Sequence, residues 1–213
     1  MSLLQPQTLY TVEEYLAFER TAEERHEYLD GEIYAMAGES LEHGRICMNL
    51  ARIVSNQLLG KPCGLLFKDM KVRSGPDPKP GRVTKSLFSY PDLLVVCGEP
   101  KVHDRHRDVL LNPTVIIEVL SDTTEAYDRG EKFRRYRTYL ASLTDYLLVV
   151  QNQPVIDHYR RLPDNRWELA SVEGLEASLH VASIECTLRL AEVYDRIRFP
   201  DPTPPPPDEE ASA

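Results

Sequence analysis

Three short runs constrain this chain most: 90–97 (YPDLLVVC), 114–120 (TVIIEVL) and 146–150 (YLLVV). Each is leucine-rich or β-branched and nearly continuous in apolar residues. A sheet with one wet face alternates apolar with polar residues, whereas runs without alternation belong to strands covered on both faces. Between the second and third runs, residues 127–140 are predicted to form a helix. Strand, helix and strand in that order make a crossover unit, which lays two strands parallel beneath the helix, with right-handed connection. The fold class expected is α/β, with a mixed sheet whose central strands carry these runs.

Other signals fill in the rest. Thr11 followed by Glu14 is a capping box, opening a first helix whose apolar face holds Val12, Tyr15 and Leu16. Asp30-Gly31 between alternating runs predicts a two-residue hairpin. Ser40 can cap a helix over 41–59, since Ile46, Leu50, Ile53, Val54 and Leu58 recur at helical spacing. Residues 65–72 are predicted to be a strand, 74–85 an exposed Pro/Gly/Lys loop, 155–161 and 166–172 a hairpin, and 191–197 a last short helix. The 213 residues are read as one domain, 1–199, and a tail, 200–213, whose six prolines and four acids predict disorder.

Charge and cysteines limit the function. The formal net charge of −9, or −5 without the tail, disfavours non-specific nucleic-acid binding but leaves room for a local basic patch. Cys47, Cys63, Cys97 and Cys186 form no Cys-x-x-Cys pair and sit among apolar residues. They read as buried free thiols, hence a reducing, cytoplasmic setting, and a zinc site is not expected. No apolar run approaches the ~20 residues of a membrane helix. No secretory leader is expected from residues 1–10.

The anomaly is acid inside the apolar runs. Glu118 interrupts 115–120, and Asp92 opens 93–96. A buried, unpaired carboxylate costs several kcal/mol, so each needs a partner. Two carboxylates on neighbouring strands suit a hard divalent cation between them. Asp128, Lys132 and Tyr136 share one helical face that packing could aim at the strand carboxylates. Blander readings stand beside these. Asp92 can serve a turn, Glu118 can pair with Lys132 or Arg135, and Lys132 can belong to a solvated basic face. Asp128 can answer the helix dipole, Glu32 can be an exposed turn residue, His43 can make a local hydrogen bond, and Tyr136 can be core packing. The histidine-rich segment 103–108 reads as a polar loop.

Taken together, Tyr90-Pro91-Asp92, Ile117-Glu118-Val119-Leu120-Ser121, Asp128-x-x-x-Lys132-x-x-x-Tyr136 and Asp145 to Val150 resemble the Uma-two-type putative restriction endonuclease family. That family is a branch of the PD-(D/E)XK nuclease superfamily. The segment 28–34 and His43 match the same pattern, so the likeness runs over about 11–197. It implies a restriction-endonuclease-like core of a helix, a mixed sheet, a crossover helix and added hairpins. It further implies metal-dependent hydrolysis of DNA phosphodiesters, with Mg²⁺ or Mn²⁺ on Asp92 and Glu118, Lys132 as catalyst and a homodimer. Glu32, His43, Asp128 and Tyr136 are possible supporting residues. The superfamily's lysine usually stands two residues after the glutamate; here that position is Leu120, and Lys132 inherits the role. The alternative is a catalytically inactive nuclease-fold module for binding or dimerisation.

Overall fold

The structure, a computed structural model, describes residues 8–121 and 123–200. The predicted disordered tail lies, apart from Pro200, outside the described residues. Helix α1 (Val12–Glu19) opens on the expected capping box, Thr11 and Glu14 each satisfying the other's backbone N–H. Strands β1 (His26–Leu29) and β2 (Glu32–Ala35) form the expected hairpin. Its turn needs Asp30 at φ 54° and Gly31 at φ 108°. A Cβ on Gly31 would stand 2.7 Å from Val83, so the 74–85 loop is pinned over this turn. Helix α2 (Leu41–Leu58) is capped by Ser40 and buries all five residues of its predicted apolar face.

Two predicted strands break where the chain passes between sheets. The run at 65–72 divides into β3 (Cys63–Phe67) and β4 (Lys71–Ser74), separated by a polar turn at Lys68-Asp69. The run at 90–97 begins later, as β6 (Leu93–Cys97), and an additional strand β5 (Leu87–Ser89) precedes it. Pro91 has no N–H to give a ladder, so Tyr90-Pro91-Asp92 becomes the connection. The remaining strands are β7 (Val109–Leu110), β8 (Val115–Leu120), β9 (Asp145–Val150), β10 (Val155–Arg161), β11 (Trp167–Glu173), β12 (Ser178–Val181) and β13 (Cys186–Arg189).

A six-stranded mixed sheet runs β11-β10-β9-β8-β6-β3, with β8 and β9 parallel as the crossover requires. A five-stranded sheet runs β2-β1-β5-β4-β7, and β12-β13 is a separate hairpin. The predicted crossover helix is interrupted. It comprises α3 (Glu125–Tyr127), a π turn (Asp128–Lys132) and α4 (Phe133–Tyr139). The predicted last helix is confined to α5 (Leu190–Val193), because the chain turns directly after it, with Arg196 at φ 62°.

The central strands are covered on both faces, as their continuous apolar composition requires. Val115, Ile117 and Val119 join Leu93, Val95, Leu147 and Val149 against Ile46, Leu50, Ile53 and Val54 of α2. Ile116 and Leu120 join Leu94, Tyr146 and Leu148 against Phe133 and Tyr136 of α4. Glu118 alternates with the first set and therefore points to the α4 side. Not all four cysteines are free: Cys63 and Cys97 face each other across β3 and β6 and are joined as a disulfide, while Cys47 and Cys186 remain buried thiols. Strand pairing made this neighbour, which the 34-residue separation concealed. Among the described residues no helix is long and apolar enough to cross a membrane.

Candidate active site

The site forms where the 90–92 connection meets the middle of β8. Asp92 Oδ2 accepts the Val119 N–H at 2.7 Å, and Oδ1 lies 2.9 Å from Nε2 of His43, in the first turn of α2. The Asp92 N–H points back at Glu118 Oε2, 3.4 Å away. The two acids are thus tied together, Glu118 to the Asp92 backbone and Asp92 to the backbone of Val119, the residue after Glu118. Pro91 fixes the approach to this arrangement.

Glu118 Oε1 meets Lys132 Nζ and the Tyr136 hydroxyl, each at 3.3 Å. Tyr136 is itself held by Ser89 Oγ at 2.8 Å. Lys132 is the centre of charge. Its ammonium lies 3.0 Å from Asp128 Oδ1, 3.3 Å from Glu118 and 3.4 Å from Glu27 Oε1. Asp128 Oδ1 has no aligned donor, so its contact with Lys132 is ionic rather than a hydrogen bond. The π turn turns both Asp128 and Lys132 into the interior; such turns often mark functional sites. Arg135 is not the partner of Glu118, for it binds Asp30 and Glu131.

Electrostatics follow from this crowding. Burial pushes the Glu118 carboxyl well above its ordinary value; Lys132 opposes this, while Asp128, Asp92 and Glu27 add to it. Burial alone would pull Lys132 down, but Glu118, Glu27 and Asp128 outweigh it and hold the ammonium well above its ordinary value. Tyr136 is likewise driven up, first by burial and then by Glu118. The cluster is nearly closed: Glu118 and Lys132 are 3% and 6% exposed. Its rim includes the Asp92–His43 pair, with side chains 12% and 11% exposed.

Of the residues expected from sequence, Asp92, Glu118, Lys132, Asp128, Tyr136 and His43 form one connected cluster. Glu32 does not join it; its carboxylate binds the Tyr34 hydroxyl beyond the hairpin turn. The acid that joins instead is Glu27, which also accepts the Tyr90 N–H at 3.2 Å. Glu27 shares a face of β1 with Leu29, which packs against the α4-side core. A second polar network lies behind it. The Tyr90 hydroxyl donates to Glu19 at 2.6 Å and receives Lys71 Nζ at 3.1 Å, and Lys71 pairs with Asp108.

A strand glutamate, an aspartate after proline at the entry to the neighbouring strand and a buried lysine from the crossover helix, on a mixed sheet between helices, define a restriction-endonuclease-like core. The family follows from the whole sequence: the chain belongs to the Uma2 family, described as "Putative restriction endonuclease", whose sequence model matches residues 12–191. It is similar to two uncharacterised proteins of Synechocystis sp. One, slr1290, is 35% identical over 88% of this chain and 92% of the relative. The other, sll1609, is 33% identical over 80% and 92%. The fold is shared with a crystal structure from Anabaena variabilis described as "a putative nuclease belonging to DUF820". That likeness has a TM-score of 0.67 at 15% identity, covering 86% of this chain and 97% of that one.

Proposed function

We propose that this protein is a metal-dependent endonuclease that hydrolyses phosphodiester bonds of DNA. The observation that carries the reading is the burial of Lys132 against Glu118, in a cluster tied through Glu118 to Asp92. Asp92 and Glu118 are the residues that would hold Mg²⁺ or Mn²⁺. Their donors are hard oxygens, as such ions prefer. Glu118 fits the role, since its partners stand at 3.3–3.4 Å, beyond the usual hydrogen-bond range, leaving the carboxylate weakly committed. When bound, the ion supplies an activated water and neutralises charge developing at phosphorus.

The chain's own residues have definite tasks. Lys132 is kept protonated by its carboxylates, so it works as a fixed cation and hydrogen-bond donor, not as a base. It orients the attacking water or supports the negative charge of the phosphorane. Asp128 and Glu27 fix Nζ, Tyr136 faces Glu118 loosely, and His43 holds Asp92. Exposed Lys79, Arg82 and Lys85 on the 74–85 loop offer a local basic surface for a nucleic-acid backbone on an otherwise acidic chain. Cutting both strands of a duplex calls for a second copy, so a homodimer belongs to this proposal. The reducing, cytoplasmic setting read from four free thiols loses that support, because Cys63 and Cys97 are bonded.

The near-complete burial of Glu118 and Lys132 favours one alternative, an inactive nuclease-fold module in which their pair is purely structural. Nicking of supercoiled plasmid with Mg²⁺ or Mn²⁺ separates the two. The nuclease reading expects cleavage by the wild type and none by Glu118→Gln. Absence of metal-dependent cleavage, or equal cleavage by the variant, overturns it.

A further inference from the structure

A second feature of the same region is not used by the hydrolysis proposed above. His43 and Cys47 stand four residues apart on α2, so their side chains leave the same helical face. Opposite them is Asp92. A His nitrogen, the Cys47 sulfur and an Asp92 oxygen all lie within 4.8 Å of one another, and all three residues are buried. Among the described residues this is the only such convergence of three ligand-bearing side chains. The acids around Lys132 do not make one.

We propose that His43, Cys47 and Asp92 form a site for a borderline-soft divalent transition ion such as Zn²⁺, with its fourth position open to water. The donor set decides the class of ion. One imidazole nitrogen, one thiolate and one carboxylate suit zinc, cobalt or nickel and do not suit magnesium, which takes oxygen. Tetrahedral bonds of zinc length separate neighbouring ligand atoms by about 3.4–3.6 Å. The 2.9 Å contact between His43 Nε2 and Asp92 Oδ1 therefore has to open by roughly half an ångström, within reach of side-chain rotation. Support is already built: Val119 N–H holds the other oxygen of Asp92, and Ser40 caps the helix turn that carries His43. Entry is from the Asp92–His43 rim. On binding, the Cys47 thiol proton passes to solvent and the sulfur bonds the ion as thiolate. Asp92 is common to this site and the proposed nuclease site, but the metal-binding claim does not depend on cleavage.

Cobalt(II) is the probe, because a cobalt–thiolate bond gives a near-ultraviolet charge-transfer band that oxygen and nitrogen ligands do not. The full chain titrated with Co²⁺ should develop that band at one equivalent, and excess Zn²⁺ should remove it. Cys47→Ala and Cys47→Ser should each lose it, with circular dichroism confirming that at least one is folded. His43→Asn should lower Co²⁺ affinity by 10-fold or more. Glu118→Gln should keep the band, so a failure of the nuclease reading leaves this result standing. No band in the wild type, or a band that survives both Cys47 substitutions, overturns the site.

Discussion

Lys132→Met removes the ammonium while keeping much of the stem's volume. In the wild type that ammonium is the cation shared by Asp128, Glu118 and Glu27 at 3.0–3.4 Å, all four side chains being largely buried. Removing one member of a buried ion cluster leaves the others unpaired, which costs about 3–5 kcal/mol. Set against a total stability of roughly 5–15 kcal/mol, that is a large fraction. It corresponds to a fall in Tm of roughly 6–20 °C for a chain of this size. The loss should depend on pH. Glu118 already titrates well above its ordinary value because of burial, with Lys132 acting to restrain it. A carboxyl raised in the folded state binds its proton more tightly there than in the unfolded chain. Its penalty is absent below the unfolded value of about 4.3 and grows as pH rises toward the folded value. Losing Lys132 raises the folded value further, so the deficit of the variant should be smallest near pH 5 and largest near pH 8. Adding Glu118→Gln should recover part of the loss, because it removes one of the stranded charges. Urea unfolding of the wild type, both single variants and the double variant at the two pH values measures all of this. A Lys132→Met protein within about 0.5 kcal/mol of wild type at pH 8 would refute the clamp, since that is the size of an ordinary surface change.

Three further outcomes are expected. Asp145 is buried and accepts from His158, Ser183 and Thr144. Burial opposes its charge, yet these donors hold its carboxyl below the ordinary value. Its stabilisation is present above the unfolded value near 3.9 and lost as pH falls through the folded value. Asp145→Asn should therefore cost about 1–3 kcal/mol at pH 7 and flatten the acid-unfolding limb below pH 4, as followed by circular dichroism. Mass spectrometry after alkylation in denaturant should count two reactive cysteines without reductant and four with it, because Cys63 and Cys97 are bonded. Thr11→Ala breaks the reciprocal bonds with Glu14 and should lower stability by about 1 kcal/mol in urea unfolding.

Local patterns with their own physics were legible. The capping box at Thr11, the Asp30-Gly31 turn, the apolar face of α2 and the two-faced burial of β8 and β9 each follow from a few adjacent residues. Elements decided by distant partners were not. Nothing local to 65–72 says that β3 joins one sheet and β4 another, and β12 and β13 exist as a pair only because each supplies the other's hydrogen bonds. Helical spacing placed Asp128, Lys132 and Tyr136 on one face, but the π turn that carries the first two inward has no signature in that spacing. Within the candidate site, Glu118 stood out because a carboxylate in an apolar strand demands a partner. Glu27 did not, because an acid beside a hairpin turn is ordinary until the lysine facing it is known. Glu32, nearer the turn, binds the Tyr34 hydroxyl, and Glu27 is the hairpin acid that faces Lys132. The pairing of Cys63 with Cys97 depended on the register of β3 against β6, which composition does not record.

Whether Asp92 and Glu118 hold a divalent ion beside a fixed lysine cation is decided by titration calorimetry with Mn²⁺ on the wild type and Glu118→Gln. The substitution keeps the side chain's volume and removes only the charge that the ion would neutralise. The wild type should show one weak Mn²⁺ site, accompanied by a rise in Tm through mass action, and the variant neither effect. Undiminished Mn²⁺ binding by Glu118→Gln would contradict that assignment, because Glu118 would then be no ligand.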